Sequence, residues 1–270
     1  MLRPRLIPFL LYDGEGLVKT RRFADPKYVG DPINAVRIFN EKLVDELVFL
    51  DINATVQRRE PQYDLIAALA AECRMPLCYG GGISSVEQIE RIVSLGVEKV
   101  AVGAAAVKWP ALVEEAARRV GSQSIVAVLD VRRTGVLRKR YEIFTARGTK
   151  PSGLDPGLFA KELAARGVGE IVINSIDSDG CMEGYDLECA HRVRSETSIP
   201  LTIVGGAGNL QHVQELWQTV GIAGAGAGSL FVFKGSYRAV LINYPTSEEK
   251  DLLIQSIMGV VGQRGAVTTE

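Results

Sequence analysis

Histidine is almost missing from this chain of 270 residues, which has only His191 and His212, and cysteine, methionine and tryptophan are sparse at four, four and two. Cys73, Cys78, Cys181 and Cys189 show no CxxC spacing, and both histidines fall inside helix-like patterns. The residues therefore argue for buried thiols and helix-surface imidazoles, and no metal or cofactor is expected. Cys181 follows a loop-like Asp179-Gly180 pair, but no neighbour in sequence would depress its thiol pKa. The formal net charge is −1, which gives no reason to expect nucleic acid or an anionic membrane as partner. No apolar run approaches the roughly 20 residues of a membrane span. The stretch "MLRPRLIPFLLYDGEG" lacks a small-residue cleavage site and reads as a strand, so a cytoplasmic location is expected.

What is present is apolar material for a large core, 47% of residues, in a chain long enough for two small domains or one α/β barrel. Short β-branched runs are expected as strands at 6–11, 46–51, 76–79, 99–102, 124–130, 170–174, 200–204 and 222–226. Between them, apolar residues recur at three- and four-residue steps over 31–42, 63–72, 85–95, 110–119, 156–166, 186–195 and 210–219. Regular βα alternation implies a parallel sheet, closed as a (β/α)8 TIM barrel or open and doubly wound. An internal repeat favours closure. "DELVFLDI" (45–52) returns as "GEIVINSI" (169–176), and "PLCYGGGISSVEQIERIVSLGVEKVAVGAAA" (76–106) as "PLTIVGGAGNLQHVQELWQTVGIAGAGAGSL" (200–230). Two four-unit halves can close around a pseudo-twofold axis. The barrel is expected over 1–245 and a helical tail over 246–270, opened by the capping-box pattern Thr246-x-x-Glu249. An insertion at 131–153 is long and basic, with strand character in "YEIFTARGTK". Its arginines and lysines either meet an anionic ligand or form a solvated hairpin.

In each half the third strand runs into glycines and a helix start, "YGGGISS" (79–85) and "VGGAGNL" (204–210), and the fourth strands end at "VGAAA" (102–106) and "AGAGSL" (225–230). Glycine lets a phosphate approach backbone N–H groups, so matched copies predict two phosphate sites at one barrel mouth; the alternative is that they only make tight turns. Gly103 is counted among these positions.

The motifs "DELVFLDI", "YGGGI", "GVEKVAV", "GSQSIVAVLDV", "GEIVINSIDSDG", "GYDLE" and "VGGAGNL" resemble, in order over roughly residues 1–240, the cyclase subunit of imidazole glycerol phosphate synthase, the HisF family. The resemblance implies the TIM barrel, ammonia from a glutaminase subunit passing through it, and two aspartates for acid–base chemistry at the mouth. Asp130 matches the second aspartate and Lys19 a substrate-side lysine, whereas Leu11 stands where the first aspartate is expected. Gly82, Asp179, Gly180, Gly205, Gly206, Gly228 and Ser229 match phosphate-binding positions. Gly103 and Ala104 replace an Asn and a Thr, Val204 a Ser, and Asn174 a Thr. The ammonia gate is matched in full by Arg5, Glu46, Lys99 and Glu170, with Asp45 and Glu98 flanking it as candidate glutaminase contacts. The alternative for the four charges is a structural ring without transport.

"MLRPRLIPFLL", "GLVKT", "DPKYVGDPINAVRIFNEK" and "GSLFVFKGSYRAVLINYP" further resemble a paralogue branch associated with acetamidino modification of surface polysaccharides. That resemblance implies a HisH-like glutaminase and an ATP-dependent amidotransferase as partners, and a phosphorylated or nucleotide-sugar ligand. The competing expectations are a histidine-biosynthetic cyclase working with Asp130 alone, and a structural or regulatory partner of the glutaminase.

Overall fold

The computed structural model describes residues 3–135, 140–235 and 237–264. Residues 136–139 of the expected insertion and 265–270 of the expected tail lie outside the described residues. Eight strands form the barrel: β1 (Arg5–Tyr12), β2 (Leu47–Asp51), β3 (Leu77–Gly80), β4 (Lys99–Val102), β5 (Ile125–Thr134), β6 (Glu170–Ser175), β7 (Leu201–Val204) and β8 (Gly224–Ala227). Each pairs in parallel with the next, and β8 returns to β1 with Arg5 opposite Gly224 and Pro8 opposite Ala227, so the sheet closes. The eight-stranded parallel TIM barrel expected from the repeat is the fold.

The outer layer is α1 (Pro32–Glu41), α2 (Tyr63–Glu72), α3 (Val86–Ser94), α4 (Ala111–Val120), α5 (Pro156–Ala165), α6 (Leu187–Glu196), α7 (Leu210–Val220) and α8 (Ser247–Arg264). Short polar residues start all of these helices but α2 and α4, because they satisfy amides that have no intrahelical acceptor. Asp31 accepts from Asn34 N, Asp155 from Gly157 N and Leu158 N, and Asp186 from Cys189 N. Ser85 and Gln88 close a capping box on α3, and Asn209 caps α7 at the matching place in the other half. His212, on the first turn of α7, takes a hydrogen bond on Nδ1 from Gly208 N at 3.1 Å, a local turn contact.

The pleat separates two apolar layers. Outward side chains such as Leu6, Leu10, Leu47, Phe49 and Ile171 pack under the helices, with Phe39, Ile66, Ile89 and Trp217 above them. Inward side chains, among them Ile7, Phe9, Val48, Cys78, Ala101, Val126, Val172 and Val204, fill the barrel. The bulk of Phe9 needs a small partner. A Cβ on Gly226 of β8 would stand 2.6 Å from its ring, so that position is glycine for room.

Two antiparallel excursions rise from the C-terminal mouth. One, Leu17–Arg21 with Ala24–Gly30, pairs with the end of β1 (Leu11 opposite Val18) and was not expected from the sequence. The other lies in the 131–153 insertion, where Arg140–Thr145 pairs with β5 and then with Lys150–Pro151. The chain end begins with the anticipated capping box, Thr246 with Glu249, and α8 packs on α7, where Gln214 Nε2 donates to Ser256 Oγ at 3.2 Å.

Candidate functional site

A cavity of about 190 Å³ opens at the C-terminal ends of the strands, under the two hairpins. Its walls include Phe9, Leu11, Lys19, Leu50, Gly103, Asp130, Asn174, Asp179, Gly180, Val204, Gly205, Gly206, Gly228 and Ser229. The structure thus brings together every expected mouth residue except Gly82, which lies off the cavity wall and gives its N–H to Thr55 Oγ1 at 3.3 Å.

Asp130, near the middle of β5, is half-buried on the cavity wall. Burial, opposed by a hydrogen bond from Asn174 Nδ2 at 2.9 Å and assisted by the charge of Asp179, pushes its carboxyl up to about 7. The side-chain oxygen of Asn174 is buried and has no partner among the described residues, which leaves an acceptor beside a near-neutral acid. Lys19, carried on the first hairpin, donates from Nζ to Phe9 O and lies against Gly228, where a Cβ would come within 2.5 Å of that nitrogen. Burial pulls its ammonium down to about 8, against the charge of Asp179. Asp179 works as a latch. Its carboxylate accepts from Thr20 Oγ1 at 2.7 Å and Phe23 N at 3.2 Å, joining the hairpin to the β6 loop. Burial raises its pKa, and both hydrogen bonds and Lys19 oppose that rise. Gly206 has φ +105°, and a Cβ there would lie 1.9 Å from Gly184 O, so no other residue fits this turn.

Leu11 lines the cavity, and among the described residues no acid stands in for it. Asp13 spends its carboxylate on the amides of its own turn, Glu15 N and Gly16 N, each at 3.0 Å. Asp51 is bound by Arg59 at 3.1 and 3.2 Å and by two loop amides. Cys181 is buried off the cavity wall, its Sγ 3.6 Å from Asp177 O and from Asp179 O.

At the opposite end, Arg5, Glu46, Lys99 and Glu170 meet in a ring of alternating charge. Arg5 reaches Glu46 and, at 2.7 Å, Glu170; Lys99 holds Glu46 at 2.8 Å and Glu170 at 2.9 Å. Thr202 Oγ1 adds a 2.6 Å bond to Glu170. Burial works against Arg5 and Lys99, but the two glutamates outweigh it and raise both pKa values. Glu170 is lowered although its burial pulls the other way, because Arg5 and Lys99 lie against it. A small void sits just above the ring, between Glu46, Glu170 and Thr202 below and Ile7, Val48, Cys78, Val126 and Val172 at the sides. Asp45 and Glu98 are engaged within the chain: Asp45 takes Leu6 N at 2.9 Å and Lys250 Nζ at 2.8 Å, and Glu98 takes Leu77 N at 2.8 Å.

Sequence reasoning missed Thr20, Phe23, Asn53 and Phe144 at the mouth, and reached Arg147 only as one of the insertion's basic residues. The first two sit on the unexpected hairpin, Phe144 and Arg147 on the hairpin of the 131–153 insertion, and Asn53 follows β2, where only the fold brings it to Arg147. Among the described residues no group of three or more His, Cys, Asp or Glu is placed to hold a metal ion, and no helix is long and apolar enough to cross a membrane.

Comparison with known proteins agrees with this geometry. Residues 5–238 match the family described as histidine biosynthesis protein. A Leptospira interrogans protein provisionally named imidazole glycerol phosphate synthase subunit HisF is 52% identical over 94% of this chain and 99% of its own length. The provisionally named subunit hisF3 of Vibrio vulnificus is 52% identical over 93% and 96% of the two chains. The corresponding hisF2 of Pseudomonas aeruginosa is 46% identical over 93% and 100%.

Proposed function

The chain belongs to the histidine biosynthesis protein family, as a HisF-type barrel, and from that premise we propose that it conducts ammonia from a HisH-like glutaminase to changed chemistry at its mouth. The observation that carries the reading is the contrast between the two ends. Leu11 removes one acid from the mouth and no carboxylate among the described residues replaces it, while all four charges of the floor ring are kept and mutually paired. Ring closure with bond cleavage needs proton transfer on both sides of its substrate, and leucine cannot move a proton.

Ammonia released below the floor meets the ring, whose Lys99 is held by carboxylates alone and can swing aside without breaking a backbone contact. The shaft above is apolar, so it admits the neutral molecule and rejects ammonium, whose desolvation is unpaid there. At the mouth, the free oxygen of Asn174 accepts an N–H, and Asp130, poised near pH 7, takes up or returns the proton of the amination step. The proposed recipient is an acetamido sugar or its nucleotide, whose acetamido carbonyl, activated by an ATP-dependent amidotransferase, takes the nitrogen and loses its oxygen with phosphate to become acetamidino, for a lipopolysaccharide O-antigen or other surface polysaccharide. The numbered names hisF2 and hisF3 of two relatives, and the terminal segments quoted above, favour such a paralogue over the histidine pathway itself.

The test is to supply the purified chain with ammonia, or with a glutaminase and glutamine, and the phosphoribulosyl-formimino substrate of the synthase. No imidazole glycerol phosphate is expected, and Leu11→Asp alone is not expected to restore it; robust turnover by the unaltered chain overturns the reading. The near-neutral Asp130 favours one second reading, a cyclase that manages with a single acid. Complementation of a histidine auxotroph lacking the cyclase separates the two, because only the second predicts growth.

A further inference from the structure

We propose that Arg147, at the tip of the hairpin after β5, is the anion anchor of the mouth, and that the ligand presents a terminal phosphate to it. The inference rests on the mouth being a ligand site for a phosphorylated molecule, as proposed above, and adds the side chain that reads the phosphate. Arg147 and Lys19 are the cations on the cavity wall among the described residues. Lys19 is buried and occupied with Phe9 O. Arg147 is half-buried, makes one hydrogen bond, Nη1 to Asn53 Oδ1 at 3.0 Å, and forms no ion pair among the described residues. Its remaining N–H groups are unspent, and a guanidinium fork matches two phosphate oxygens better than any other side chain.

The chain holds it there. The Asn53 amide is itself oriented by a bond from Nδ2 to Asp13 O at 2.8 Å, so its oxygen is turned to Arg147. The hairpin tip is closed by Thr149, whose N–H and hydroxyl reach Ala146 O at 3.3 and 2.6 Å. It is wedged over the mouth: a Cβ on Gly148 would stand 3.1 Å from Ile176 and 3.2 Å from Phe23 of the other hairpin. The base is tied down by Arg133, which pairs with Glu188 at 2.8 Å, and by Tyr141, whose hydroxyl donates to Asp186 at 2.8 Å. The acids that could neutralise Arg147 are committed elsewhere. Asp51 is held by Arg59, Asp179 by Thr20 and Phe23, and Asp130 is half-neutral near pH 7. On the same wall Gly103 and Ala104 supply no polar side chain, so Arg147 is the cationic side chain that this half of the mouth adds to its backbone amides.

Binding of inorganic phosphate, followed by calorimetry and by the Arg Nε–H resonances, tests this on the whole chain without any glutaminase. The unaltered protein is expected to bind phosphate with a shift of the Arg147 resonance. Arg147→Ala should weaken binding about tenfold or more, Arg147→Lys should recover part of it, and Asn53→Ala should fall between. Arg118→Ala, an exposed arginine on α4, removes the same charge and should bind like the parent. Thermal melting of each variant identifies any that fails to fold, and Arg147→Lys keeps the test valid if the alanine variant does. Absence of phosphate binding by the parent, equal binding by Arg147→Ala, or acetate binding in preference to phosphate would each overturn the proposal. Loss of ammonia delivery with Arg147-dependent phosphate binding intact would instead sink the functional reading and leave this one standing.

Discussion

Asp130 and Lys19 are both titratable groups enclosed by the barrel mouth, and burial moves each toward its neutral form. For Asp130 the folded pKa of about 7 lies above the unfolded 3.8, so its contribution to stability is full below about pH 4 and is lost as pH rises through 7. That interval corresponds to roughly 4 kcal/mol of pH-linked stability. Asp130→Asn should therefore gain on the parent steadily between pH 4 and pH 8 in urea melts, and parallel curves would show that the carboxyl is ionised at little cost in the fold. The floor behaves oppositely, because its charges are matched. Lys99→Ala leaves Glu46 and Glu170 sharing Arg5 alone, and chemical denaturation should show a loss of about 3 kcal/mol, the usual cost of removing one partner from a buried ion pair.

The hairpin Leu17–Gly30 is buried along its first strand, which pairs with β1, and loosely held beyond it. Its second strand, Ala24–Gly30, is exposed along nearly its whole length, and Arg22, Phe23 and Asp25 all have positive φ, so the turn has little burial to hold it. Asp179 supplies the hold through Thr20 and Phe23. Asp179→Ala is expected to speed amide exchange at residues 20–25 by an order of magnitude or more while leaving exchange in the barrel strands unchanged; uniform acceleration would mean that the latch is part of the core. The same element shows what could be read in advance. The barrel strands were legible because Ile7–Phe9, Val48 and Val172 lie on strands buried on both faces, which leaves near-continuous apolar runs. The run "ADPKYVG" is polar, exposed and interrupted by proline, so no apolar pattern marked it as strand. At the mouth, the glycines follow strand ends in matched copies and could be found from spacing, whereas Asp130 and Lys19 were implied by the family resemblance. Asn53 and Arg147, 94 residues apart, are joined only by closure of the barrel.

At the scale of the whole molecule the barrel is a shaft with two ends, and whether anything travels between them depends on the width of its apolar middle. Cys78 faces inward there, one layer above the ring, beside the small void and between Val48 and Ala101. Its thiol is driven well above its ordinary pKa, by burial first and then by Glu46, so it stays an uncharged filler of modest size. Cys78→Leu adds bulk where the void now lies without adding charge. Overpacking of this kind costs about 1–3 kcal/mol, which the chain should survive as a folded protein. The glutaminase in complex should then hydrolyse glutamine at the parent rate while ammonia ceases to reach the mouth. Released ammonia measured in bulk should rise in step with the loss of aminated product, and externally added ammonia should restore that product, because the mouth is open to solvent and the block lies below it. Undiminished transfer through the filled shaft would mean that ammonia reaches the mouth by another path, and the ring of Arg5, Glu46, Lys99 and Glu170 would then be a device for holding four strand ends together.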